Sequence, residues 1–91
     1  MSLAPLRQQI DQIDQEIIRL LTQRMTVSRQ VAKIKIDQNL PVLNAGREVE
    51  ILEKLEKMAT NLGMRQGFIS EIYTQIFAES KKIQEEIMNE K

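Results

Sequence analysis

Six polar residues stand where the helical period calls for apolar ones: Arg24, Ser28 and Lys35, then Glu48, then Ser80 and Gln84. Arg24 fills one slot of the stripe Leu6, Ile10, Ile13, Ile17, Leu20, Val27, Val31 and Ile34. Its steps of 3 and 4 mark a helix that packs on other helices. Lys35 lies 11 residues beyond Arg24, so the two differ by only about 20° in direction and about 16 Å in height. Burying an unpaired charge costs several kcal/mol, so two cations on one core-facing line need a partner. Glu48 falls one turn before Leu52 on the stripe Val49, Leu52, Leu55, Ala59 and Leu62. Ser80 takes an apolar slot after Ile69, Ile72, Tyr73, Ile76 and Phe77, with Gln84 one turn further on the same side. Brought face to face, these groups line a polar pocket inside a helical bundle. Its cations outnumber its carboxylate, which suits a small dianion carrying a hydroxyl.

Each residue also has a structural reading. Lys35 can snorkel from a helix end, and Arg24 can fix the register of a helical seam. Glu48 can complement a helix dipole. Ser80 can be a tolerated small residue, and Gln84 can be solvated. What favours the pocket is the joint presence of such groups on all three helices.

The elements that must position them are legible. Pro5 suits a first helical turn, and no Gly or Pro interrupts Leu6 to Asp37. A helix of roughly 33 residues, about 50 Å long, is expected. That is too long for a compact chain of this size, whose radius of gyration should be near 12 Å. A second copy is therefore expected to cover the stripe. Asp37 to Gly46 is a break, punctuated by Pro41 and Gly46. Asn44 is a candidate N-cap for helix 2, and Gly63 suits the left-handed residue that ends it. Helix 3 is expected from about Gln66 to Met88. The fold class is all-α: three helices, long, short and medium.

The 91 residues suit one small domain, 1–91. Lys plus Arg and Asp plus Glu both number 13, so the balanced charge gives no reason to bind nucleic acid or an anionic membrane. Cys and His are absent, which removes disulfides, thiolate or imidazole metal sites and the usual nucleophile–base pairs. Neither a metal nor a cofactor is expected. No apolar run reaches the roughly 18 residues of a membrane span, and no secretory h-region precedes Arg7. The expected compartment is the cytoplasm.

The segments LRQQID, LLTQRMTVSRQVAKIK, Pro41-Val42, REVEIL and IFAESKKIQ follow one another in a specific order and spacing. In these the chain resembles the all-helical chorismate mutases, the AroQ class, over nearly its whole length. The resemblance implies an intertwined homodimer whose long first helices pair antiparallel, each site borrowing one arginine from the other subunit. Arg7 matches that arginine. It precedes Arg24 by 17 residues, about 25 Å and roughly 100° around the helix, so it cannot serve the same pocket from its own chain. The implied reaction is the pericyclic rearrangement of chorismate to prephenate, feeding Phe and Tyr synthesis without a cofactor. By resemblance, Arg24 and the second copy's Arg7 clamp the two carboxylates, Lys35 and Gln84 donate to the ether oxygen, and Glu48 accepts from the ring hydroxyl. Ser80 and Arg47 support the carboxylate region, while Ser28 and Val31 shape the wall. Asn44 stands where many relatives carry Asp and serves if that contact uses backbone groups. The basic pair Lys81-Lys82 has no assigned role.

Two other functions fit parts of the pattern. Isochorismate–pyruvate lyase uses the same scaffold and a similar cationic pocket, but Glu48 and the Lys35/Gln84 pair favour the mutase. A non-catalytic helical dimerisation module explains the stripe and the neutral charge, but not polar groups clustered on three helices.

Overall fold

The computed structural model describes residues 2–90. It contains α1 (Ala4–Asp37), α2 (Ala45–Asn61) and α3 (Phe68–Asn89), with no strand among the described residues. The expected long–short–medium order is found, with boundaries within two residues of those read from the sequence.

Local chemistry sets each end. Pro5 sits in the first turn of α1, where its missing N–H has no intrahelical partner to lose. The helix stops at Asn39, which adopts φ 55°, before Pro41 is reached. The Leu40 N–H donates to the Lys35 carbonyl at 2.8 Å and the Asn39 N–H to Ile36 at 3.2 Å. This paired closure satisfies the last carbonyls and needs a residue that tolerates the left-handed region. The same closure ends α2: Gly63 has φ 90°, its N–H reaches Thr60, and the Met64 N–H reaches Ala59, both at 3.0 Å. At the start of α2, Asn44 Oδ1 accepts from the Arg47 N–H at 3.0 Å, as expected of an N-cap.

The start of α3 has no side-chain cap of its own, because Gly67 occupies the N-cap position. Glu56 of α2 supplies one instead. Its carboxylate accepts the Gly67 N–H at 3.1 Å, the Ser70 N–H at 2.8 Å and the Ser70 hydroxyl at 2.9 Å. A carboxylate at a helix N-terminus also meets the positive end of the dipole.

Helix α3 packs against both α1 and α2, while α1 and α2 do not pack on each other among the described residues. It runs parallel to α1: Arg24 lies against Tyr73 and Phe77, Ser28 meets Ser80 and Lys35 meets Gln84. The chain is an open fork of 58 × 26 × 14 Å with a radius of gyration of 16.6 Å. A body this thin covers few side chains on all sides. The buried apolar residues are Ala32, Ala59, Phe77 and Ile83. Leu6, Ile10, Ile13, Ile17, Leu20, Val27 and Ile34, expected to be covered, are 48–58% exposed in the single chain.

Hydrogen bonds from the Gly67 N–H, then the Ser70 N–H and hydroxyl, hold the Glu56 carboxyl below its usual range. A lowered folded-state value stabilises the fold above the unfolded value of about 4.3, and the contribution is lost as pH falls through the folded value. Urea midpoints measured across pH should therefore drop in acid. Glu56→Gln should lower the midpoint at neutral pH and flatten that part of the acid dependence.

Candidate active site

The parallel run of α1 and α3, with the start of α2 leaning over them, encloses a cleft of about 350 Å³, within the usual range for small-molecule sites of about 300–1,000 Å³. Arg24, Ser28, Val31 and Lys35 line it from α1. Asn44, Arg47 and Glu48 line it from the loop and α2, and Ser80 and Gln84 from α3. The structure thus gathers every residue singled out from the sequence except Arg7. That residue lies on the exposed first turns of α1, outside the cleft.

The floor is a continuous hydrogen-bonded chain. Ser28 Oγ and Ser80 Oγ are 2.7 Å apart. Gln84 Nε2 donates to Ser80 Oγ at 3.2 Å, and Gln84 Oε1 accepts from Lys35 Nζ at 3.0 Å. Lys35 Nζ also donates to the Val42 carbonyl at 2.8 Å. Ser28, Ser80 and Gln84 are each under 10% exposed, so their polar atoms depend on one another. An ammonium has three protons and a side-chain amide two. With two protons of Lys35 and one of Gln84 engaged, one donor from each remains for a ligand.

Arg24 is half-buried and has no carboxylate partner among the described residues. Its guanidinium lies 5.7 Å from the ring centroids of both Tyr73 and Phe77. Aromatic faces attract a cation without neutralising it. Lys35 is likewise held by two neutral oxygens. The cleft therefore presents two uncompensated positive charges from one helix face, in partly desolvated surroundings where an anion interacts more strongly than in bulk water.

The other charged residues are paired. Glu48 Oε1 meets Lys81 Nζ at 3.2 Å, which gives Lys81 a partner that sequence reading did not supply. Arg47 is exposed and pairs with Glu50 at 3.4 Å, so it stands at the rim. Asn44 faces the cleft, but its side-chain oxygen is committed to the α2 cap. Two contributors were missed. The Val42 carbonyl orients Lys35, and a backbone acceptor leaves no mark on residue type. Lys81 could have been found from its place one residue after Ser80, on the flank of α3 that meets α2.

A family model described as chorismate mutase type II matches residues 6–85, a stretch that contains Arg7 and all the cleft residues named above. The chain is 43% identical over 56 residues to a bifunctional chorismate mutase/prephenate dehydratase of Aquifex aeolicus, covering 62% of this chain and 16% of the relative. A protein of the same name from Buchnera aphidicola is 30% identical over 83 residues, 91% of this chain and 22% of the relative. The chain thus spans less than a quarter of the length of these bifunctional relatives. A chorismate mutase of Methanocaldococcus jannaschii is 26% identical over 88 residues, covering 97% of this chain and 89% of the relative.

The buried chain of hydroxyls and amide makes a stability prediction. Ser80→Ala leaves Ser28 and the Gln84 amide short of a buried partner and should cost about 1–3 kcal/mol in urea unfolding. The Ser28→Ala/Ser80→Ala double variant should cost clearly less than the sum of the two single changes, because the contact is shared.

Proposed function

The chain belongs to the chorismate mutase type II family, and from that premise we propose that it converts chorismate to prephenate. The observation that carries the proposal is the pair Arg24 and Lys35: two half-buried cations open to one cleft, neither paired with a carboxylate among the described residues. A substrate with two carboxylates supplies the missing negative charge.

The rearrangement is intramolecular. An ether carbon–oxygen bond breaks while a carbon–carbon bond forms, and no proton changes hands. Two tasks fall to the protein: holding a flexible substrate in its compact reactive conformer and stabilising negative charge that grows on the ether oxygen. Arg24 clamps one carboxylate through its planar donor fork. The free donors of Lys35 and Gln84 point to the ether oxygen. Oxygens of Glu48 accept from the ring hydroxyl. Ser80 and the rim residue Arg47 support the carboxylate region, Asn44 contributes through its backbone, and Ser28 and Val31 shape the wall.

The second carboxylate takes Arg7 from another copy of the chain. The uncovered stripe of α1 supports an antiparallel pairing of two α1 helices. Such a pairing carries Arg7 of one copy toward Arg24 of the other, across the roughly 25 Å that separates them within one chain. In this dimer residues 1–91 act as a single mutase domain, serving Phe and Tyr synthesis in the cytoplasm. No helix among the described residues is long and apolar enough to cross a membrane.

The purified chain should consume chorismate, followed by its absorbance, and leave isochorismate unchanged. Lys35→Ala should lower kcat about 10²–10³-fold, the usual loss for one donor to a developing oxyanion. A kcat near that of the parent would remove the electrostatic role.

The shared site has its own test. Arg7→Ala and Lys35→Ala chains should each be nearly inactive. Refolded together in equal amounts, they should recover roughly a quarter of parental activity, because half of the dimers formed are mixed and each has one intact site. No recovery would mean that Arg7 and Lys35 do not meet across an interface.

A further inference from the structure

Lys81 has no part in the chemistry above, yet it makes the ion pair that joins α2 to α3 at the cleft. It follows Ser80 on α3, about 100° around the helix from the buried Ser28–Ser80 contact. The two side chains of the pair are 37% and 24% exposed, against 60% and 70% for Arg47 and Glu50. Solvent screens the Lys81–Glu48 attraction less than an ordinary surface pair.

The position of Glu48 makes that attraction matter. It is the carboxylate of a cleft whose other charged groups are cations: Arg24 and Lys35 from α1, Arg47 beside it on α2, and Lys81 from α3. Turned onto Arg24 or Lys35, it would occupy a cation that a dianion needs and would be repelled as the dianion entered. Lys81 meets its Oε1 from the opposite helix. A carboxylate has lone pairs enough to accept from both an ammonium and a ligand hydroxyl.

We propose that Lys81 is a positioning residue: it holds the Glu48 carboxylate against α3, so that an entering ligand meets Arg24 and Lys35 unoccupied and one carboxylate oxygen open to its hydroxyl. The inference rests on the mutase activity proposed above and extends it to a residue outside the reacting centre.

Steady-state kinetics with chorismate test it. Lys81→Met should raise KM about tenfold while kcat stays within about twofold, the signature of lost binding shared by ground and transition states. Lys81→Gln should behave alike, and Lys81→Arg should restore KM to within about threefold of the parent. In a Glu48→Gln background, Lys81→Met should change KM by less than about twofold, because its partner is already neutral. An unchanged KM in folded Lys81→Met and Lys81→Gln chains would overturn the proposal. So would an equal tenfold rise in the Glu48→Gln background, which would make Lys81 a direct attractor of the dianion. A parent chain that leaves chorismate intact ends the mutase assignment and this inference together. An active parent with silent Lys81 variants ends this inference alone.

Discussion

Arg24 and Lys35 stand uncompensated on a half-buried face because their immediate neighbours are neutral. Two ring faces flank the guanidinium, while a backbone carbonyl and an amide oxygen hold the ammonium. Had carboxylates filled those places, each cation would be an internal salt bridge and the cleft would have little field to offer a ligand. Neutral partners satisfy hydrogen-bonding geometry and leave the net charge intact. Leaving cations half-desolvated destabilises the empty site, and the dianion proposed to bind there would offset that cost. The helical scaffold serves to keep this imbalance in place.

Helix α3 does most of the holding. Through Ser80 and Gln84 it ties the middle of α1 to the end of α1. The loop joins the same chain at Val42, and both ends of the loop are fixed by local closures. Asn39 turns the chain out of α1, and the Asn44 cap turns it into α2. The Val42 carbonyl is thereby placed over Lys35 without a side chain of its own taking part. At the other end, Glu56 binds the first turn of α3 to α2, which fixes the angle at which α3 meets both neighbours. The open fork thus has its hydrogen bonds where the site needs rigidity.

Much of this was legible in the sequence, for a physical reason. A helix repeats every 3.6 residues, so a polar residue on an apolar stripe declares its direction without any knowledge of the fold. That sufficed to bring Arg24, Ser28, Lys35, Glu48, Ser80 and Gln84 into one cleft. It could not give the length of a salt bridge or its partner, and so Lys81 went without a role. It could not foresee Glu56 as a cap, because capping rules look along the chain and this carboxylate comes from 11 residues upstream of Gly67. The stop at Asn39 was overshadowed by Pro41, although Asn is among the few residues other than Gly that enter the left-handed region readily. Arg47 lay on the right side of α2, but its length lets it reach Glu50 and stand at the rim.

The stripe and the site are one feature. Arg24 occupies a slot between Leu20 and Val27, both about half exposed in the single chain. A second copy covering that stripe, as proposed, would bury these neighbours and strip water from the guanidinium between them. Lower local dielectric strengthens every charge interaction in the cleft, and Arg7 would arrive with the same helix that excludes the water. Pairing of the chains and charge on the site would then rise together. On this account the first four turns of α1, which touch nothing in the cleft of their own chain, are as much a part of the catalytic apparatus as the turns that line it.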